Sequence, residues 1–288
     1  MTMANETGRS RENRLGDYLR ARRELVSPAD VGLPEDGRRR VQGLRREEVA
    51  MLAGISADYY LRLEQGRDRN PSVQVLEAIA RVLKLDDPSL EYVLELSATK
   101  TRTRRAPRSR ETVTPRIAEL VHSINMPAFV SGRYFDVLAS NPLALALSPD
   151  LRVGENLLRA VFLNPDERML FDPREMVAMF RKHVGSGLDD PRIVRLVGEL
   201  SLASDAFRQA WARHDVRPAR GGPVLIDHPQ VGPMEMNLSK LTVDEANDQL
   251  LVIYHPTDAR PEGRDQLALL ASLTAQTRPV QQELGQSS

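Results

Sequence analysis

Cysteine is absent from all 288 residues. That excludes disulfides, thiolate zinc sites and thiol catalysis, and it fits a reducing compartment. A net charge is also lacking: 40 Lys and Arg face 40 Asp and Glu. Bulk charge therefore gives no argument for a polyanionic partner. Aromatic residues are sparse at 5%. No apolar run reaches the roughly 18 residues a membrane helix needs, and Met1 to Arg14 is polar without the apolar stretch of a secretory signal. The expectation is a soluble, cytoplasmic protein without a membrane partner. The usual signatures of catalysis are missing as well. There is no His-x-x-x-His, no phosphate-binding or dinucleotide glycine pattern, and no Gly-x-Ser-x-Gly. The five histidines, His122, His183, His214, His228 and His255, are scattered. In His214-Asp215 and Asp227-His228 the two side chains are expected to point apart, as chain neighbours do. No enzyme activity, cofactor or metal is expected.

What is present is 41% hydrophobic residues in a chain long enough for two domains. The charge is unevenly placed. Through Arg110 there are 22 Lys and Arg against 17 Asp and Glu, a balance of +5 that leaves −5 for the remainder. Only the first part is suited to meet phosphate.

Apolar periodicity predicts helices over Arg14 to Glu24, Arg46 to Gly54 and Ala57 to Gln65. Two more are expected, one opened by Pro71 and Ser72 and one capped by Asp87-Pro88. Residues 27–43, with Pro28, Gly32, Pro34, Gly37 and Gly43, read as a loop. Residues 12–98 thus form an all-α domain of five short helices. A basic linker follows over 99–114, without apolar period. From 115 the pattern mixes. A helical stripe (Ile117, Leu120, Val121, Ile124) precedes a hairpin signal around Gly132-Arg133. Helices open at Asp172-Pro173 and Asp190-Pro191, and Phe207 and Trp211 mark another. Three strand candidates, 224–226, 234–238 and 250–254, close an α+β domain over 115–275. Residues 276–288 are expected to be a disordered tail.

The segment 46–65 carries the chemistry. Two crossing helices need small residues where they touch, and Ala50 and Ala53 supply them. The turn between them needs a residue that tolerates positive φ, and Gly54 supplies it. Ser56 is placed to cap the second helix. Val49, Leu52, Ile55, Tyr60 and Leu63 then face a core. Ala57, Asp58, Tyr59, Leu61 and Arg62 point outward from the part of a recognition helix that enters a major groove. Arg62 is placed for a base edge or a phosphate. Asp58 either accepts from a cytosine amino group or only sits in the first turn of its helix. The partner expected is double-stranded DNA. Two recognition helices about 34 Å apart would read a palindromic operator, which predicts a homodimer.

Residues 43–50 (GLRREEVA), 52–56 (LAGIS), Tyr59-Tyr60 and 62–67 (RLEQGR) resemble Cro/repressor-type (XRE) helix-turn-helix regulators of the MmyB-like branch. Looser matches lie at Pro127 to Phe129, Asp136 to Leu138, Asn141, Trp211 and 250–254. The resemblance implies a bacterial, nucleoid-associated transcriptional regulator with a PAS-like C-terminal ligand-binding domain. Within it Arg45 and Arg46, and Arg67 and Arg69, are placed for phosphates, and Arg38, Arg39 and Arg40 for a backbone or minor-groove arm. A PAS-like pocket would be lined by Phe129, Phe135, Leu138, Met176, Met179, Phe180, Trp211, Met234 and Met236. Flexible methionines suit an adaptable apolar site. The implied effector is apolar, of the long-chain acyl kind. Two other readings stand beside this one: a constitutive regulator whose second domain is only a dimerisation scaffold, or an enzyme tethered to DNA.

Overall fold

The computed structural model describes residues 13–34, 43–68, 70–98, 111–164, 171–185, 190–219, 221–243, 249–257 and 262–276. The chain forms two compact units that do not follow chain order. Residues of Met1–Ala106 join those of Pro173–Pro218 in one unit, and residues of Pro107–Asp172 join those of Ala219–Ser288 in the other. The sequence reading cut the chain consecutively at 98 and 115. Most of the basic linker, the end of the loop with its arginine triplet, and the tail after 276 lie outside the described residues.

The first unit opens with α1 (Arg14–Leu25), α2 (Arg46–Ala53), α3 (Ala57–Glu64), α4 (Val73–Val82) and α5 (Asp87–Ser97). Their starts are set by local chemistry. Ser56, Ser72 and Asp86 each accept a backbone N–H three residues on, which contributes about 1 kcal/mol per cap. The α5 cap is Asp86 and not Asp87. Asp87 lies inside the helix with Pro88, where the missing proline N–H costs nothing. Leu19, Leu44, Val49, Ala50, Tyr60, Leu63 and Ile79 share one core. Leu52, expected there, is 39% exposed and Met51 62% exposed. Helix α1 lies close against the end of α3: a Cβ on Gly16 would stand 2.3 Å from the Glu64 carbonyl oxygen.

The same unit contains α9 (Pro173–Val184), α10 (Pro191–Ala203) and α11 (Asp205–Ala212). Arg181 is buried and donates to the Trp211 carbonyl at 2.6 Å, with its guanidinium 3.8 Å from the Trp211 ring centroid. Trp211 stacks on Phe207 with centroids 5.8 Å apart. After α11, His214 takes a left-handed backbone (φ 54°) and sets its ring edge-on to Tyr18. Burial, then the nearby Arg181 and Arg22, push its imidazole down to about 3 from 6.5, with Asp215 opposing. The folded form therefore refuses a proton that the unfolded chain accepts, so stability falls as pH drops below about 6.5. At pH 5.5 this group removes about 1.4 kcal/mol. Urea unfolding at pH 7.5 and 5.5 should show that loss, and it should vanish in His214→Asn, which tolerates the left-handed backbone. An unchanged pH dependence in the variant would refute the assignment.

The second unit is a five-stranded antiparallel sheet in the order β2-β1-β5-β4-β3, with β1 Ala128–Ser131, β2 Val137–Ser140, β3 Gly222–His228, β4 Gly232–Thr242 and β5 Leu250–Pro256. The mixture of helices and antiparallel sheet expected from the sequence is present, with α9, α10 and α11, expected inside that domain, found in the first unit. The hairpin turn occupies 132–136, so Tyr134 precedes β2 and does not belong to it. Strand β1 pairs Phe129 with Val252, and β3 pairs Val224 with Met236 and Ile226 with Met234. Side chains alternate across a pleat. Phe129, Val252, Tyr254, Met236, Met234 and Ile226 therefore share one face, and all six are buried. The opposite face, with Ala128, Val130, Ala139 and Leu251, packs on Val121 of α6 (Pro115–Ser123). Three helices were not anticipated: α7 (Pro142–Leu147), α8 (Leu157–Leu163) and α12 (Glu262–Gln276). Helix α12 packs on β4, β5 and α7, so a helix follows the last strand.

Candidate nucleic-acid interface and ligand-binding region

Within α2 and α3 the turn is built as its residues dictate. Gly54 is left-handed at φ 69°, and the Ile55 N–H returns to the Ala50 carbonyl at 3.0 Å. This closes α2 with a Schellman-type pattern. The Ser56 hydroxyl accepts from Tyr59 N–H at 3.1 Å. Glu48 accepts from the Arg45 N–H at 2.6 Å. Arginine has no acceptor to return the favour, so only half of a capping box exists.

Ser56, Ala57, Asp58 and Arg62 are exposed, and Leu61 is half-buried. Tyr59 is half-buried as well, since one side of its ring packs against the core. Arg62 bridges two neighbours on α3. It donates to Asp58 at 2.6 Å and lies 5.8 Å from the Tyr59 ring centroid. The acidic residue on this surface is thus the counter-ion of its neighbour one turn on, a contribution of about 0.3–0.5 kcal/mol. Helix α3 presents short, polar and aromatic groups with an internally paired cation.

The flanking arginines separate. Arg45 and Arg67 are exposed. Arg46 is engaged inward: its Nε donates to Glu64 at 2.5 Å, while Arg23 of α1 donates to the other Glu64 oxygen at 2.7 Å and to the Leu44 carbonyl at 2.7 Å. The Glu64 side chain is only 2% exposed. Burial works against the charge on Arg23, and the Glu64 carboxylate, with Tyr60 and Glu24 adding to it, more than offsets that. The sequence reading missed Glu64, whose first partner lies 41 residues away. Arg38, Arg39, Arg40 and Arg69 lie outside the described residues.

The nine apolar candidates divide between the two units. Phe129, Met234 and Met236 are buried on one face of the sheet, and Phe135 and Leu138 belong to the same unit. Met176, Met179, Phe180 and Trp211 lie on α9 and α11, in the unit that holds the helix-turn-helix. The sheet face offers a polar group that sequence reasoning missed. Tyr254 is 0% exposed, its hydroxyl has no hydrogen-bond partner among the described residues, and burial holds its phenol well above the usual range. His214 and Asp215 point apart: the imidazole meets Tyr18, while the carboxylate binds Arg22 and Arg213. Among the described residues no group of three or more His, Asp or Glu is placed to hold a metal. None of the helices described is long and apolar enough to cross a membrane.

Comparison with known proteins places both parts of the chain in families, with a boundary that follows the sequence and not the two compact units. Residues 14–92 match a helix-turn-helix domain family. Residues 113–270, more than half of the chain, match the MmyB-like transcription regulator ligand binding domain. No curated protein matches. A solved structure described as an RNA-binding light-oxygen-voltage receptor is similar at 14% identity and a TM-score of 0.24. The match covers 79% of this chain and 62% of that one, so the chain spans less than two thirds of that receptor. With a capped helix-turn-helix at one end and the ligand-binding family over the rest, the chain belongs to the MmyB-like transcription regulators.

Proposed function

We propose that the protein is a homodimeric, sequence-specific regulator that reads a palindromic operator with α3 and responds to an apolar effector. The observation that carries the DNA reading is the exposed N-terminal half of α3. Ser56 caps it, Ala57 and Asp58 are open to solvent, and Arg62 is poised beside Tyr59. On DNA the Asp58–Arg62 pair opens, releasing Arg62 to a guanine edge or a phosphate and Asp58 to a cytosine amino group. Arg45 and Arg67 contact phosphates, and Arg46 does so with the guanidinium nitrogens that Glu64 leaves free. Arg38, Arg39, Arg40 and Arg69 add backbone contacts. Such a protein works in the bacterial cytoplasm at the nucleoid.

A duplex selected from a random pool supplies the operator for the test. Arg62→Ala and Tyr59→Ala should each weaken operator binding by about tenfold or more and relax base preference, since a good base contact is worth about 1–3 kcal/mol. Arg45→Ala and Arg67→Ala should weaken all duplexes alike and lower the salt slope by about 1 each. Operator binding left intact by both Arg62→Ala and Tyr59→Ala would overturn this recognition face.

For the effector, the supporting features are the apolar sheet face and the Tyr254 hydroxyl set into it. A buried hydroxyl without a partner is costly, and an acceptor on the polar end of an acyl ligand would satisfy it. Lipid extraction and mass spectrometry of purified protein should yield an acyl compound, and Tyr254→Phe should retain less of it. Recovery of no apolar compound would favour the scaffold reading.

A further inference from the structure

Helix α1 has two working faces, separated by one residue. Leu19 and Arg23 look into the helix-turn-helix: Leu19 joins its core and Arg23 binds Glu64 on α3. Tyr18 and Arg22, also four apart, face about a quarter turn away, toward α4, α5 and the segment that follows α11. Tyr18 shares a buried cluster with Leu76, Tyr92, Val93 and Val216, and Val216 is only 3% exposed. Arg22 donates to Asp215 at 2.5 Å with both side chains largely covered. The contact continues along α5. Lys182 of α9 sits between Glu91 at 3.2 Å and Glu95 at 3.6 Å, and Arg217 reaches Asp86, the α5 cap, at 3.4 Å. Buried Arg181 stands beside the Tyr92 hydroxyl.

Residues 173–218 thus fall inside the stretch that matches the ligand-binding family, yet they are built into the DNA-reading unit. The chain passes between the two units three times. Residue 218 is followed within four residues by β3, the edge strand of the sheet. A rigid helix whose two faces grip different partners moves with both, because packed interfaces have discrete arrangements and do not deform smoothly.

From this we infer that residues 173–218 are a clamp on the DNA-reading unit, and that α1 carries its state to the recognition helix through the adjacent pair Arg22 and Arg23. The inference rests on the proposed reading of α3 as the recognition helix. It supplies the route by which a response in the ligand-binding family's domain reaches that helix.

The test uses the full chain without any effector. Val216→Ser removes the apolar anchor, Arg22→Glu and Asp215→Arg each break the covered ion pair, and the double swap restores it with inverted sign. None of these residues is on the DNA-facing surface. Amide exchange is followed in α1, α3 and α5, and the ratio of affinities for the selected operator and a random duplex is measured, so that changes in net charge largely cancel. Each single variant should raise exchange in all three helices and change that ratio by about tenfold, within the range of allosteric couplings. The double swap should return both toward the parent. Faster exchange confined to residues 173–218, or an unchanged ratio in every variant, would overturn the clamp. So would a double swap that rescues neither readout. Failure of the recognition-face reading would show separately, as operator binding insensitive to Arg62→Ala and Tyr59→Ala.

Discussion

Replacing Glu64 by alanine should cost about 3–5 kcal/mol of folding stability, the range found when one partner of a buried ion pair is removed. The reason is geometric. Glu64 stands at the last turn of α3 with its carboxylate covered, and it receives Arg23 from α1 on one oxygen and Arg46 from α2 on the other. Removing it strands the Arg23 guanidinium, which is itself 7% exposed and has no water to turn to. The Leu44 carbonyl and, at 3.9 Å, the half-exposed Glu24 carboxylate are then what face that charge. Glu64→Gln keeps the shape and one acceptor, so it should fall between alanine and the parent. Urea unfolding gives the measurement, with an unchanged m-value showing that the same surface unfolds. A loss below about 1 kcal/mol for Glu64→Ala would mean that Arg23 finds another partner. Against a total of about 5–15 kcal/mol, the expected loss leaves little folded protein in a marginal domain. Operator binding should then fall in proportion to the folded fraction, without a change in base preference. That separates Glu64 from Arg62, whose loss should change preference and leave folding almost untouched.

How much of this was legible in the sequence follows the distance over which each feature is specified. The turn between α2 and α3 could be read because its parts lie within eleven residues: a left-handed Gly54, a capping Ser56, small Ala50 and Ala53. The Asp58–Arg62 pair follows from the i, i+4 rule, and the rule was available for a question the sequence reading left open. The role of Glu64 was hidden because its partners are Arg46, 18 residues away, and Arg23, 41 away. Leu52 was misplaced because a helix of eight residues fixes its buried stripe only loosely, and the stripe ends at Val49 and Ala50. The apolar stripes on α9 and α11 were read as helices and their residues as candidates for a pocket. A stripe shows that a face is covered and not what covers it, so these helices could not be assigned to the helix-turn-helix unit. Helices α7 and α8 did carry a signal, since each follows an asparagine that caps it and α7 has proline at its first position. At six and seven residues they were too short for periodicity to register.

One of those caps carries the second large effect. Asn141→Ala should destabilise the sheet unit by about 3 kcal/mol or more, from several buried partners lost together at about 1–3 kcal/mol each and not fully additive. Asn141 is 2% exposed. Its side-chain oxygen accepts from Ala144 N–H, which caps α7, and from Ala128 N–H at the start of β1. Its amide nitrogen lies 2.7 Å from the Met126 carbonyl, 3.0 Å from that of Ile124 and 3.3 Å from that of Val121. One side chain therefore ties the end of α6, the first strand and the next helix to a single point, and no apolar residue can replace it. Asn141→Asp is the sharper probe because it preserves shape. The carboxylate keeps the two accepting bonds but turns an acceptor toward three carbonyl oxygens, so at neutral pH it should be at least as damaging as alanine. Its folded-state pKa would be raised, because protonation removes the buried charge and returns a donor. Stability lost at pH 7 should then be recovered as pH falls, down to the unfolded carboxyl's value near 3.9, the reverse of the trend that His214 imposes. Amide exchange in β1, β2 and α7 reads the damage locally. An Asn141→Asp protein as stable as the parent at pH 7 would show that these three carbonyls do not depend on the amide.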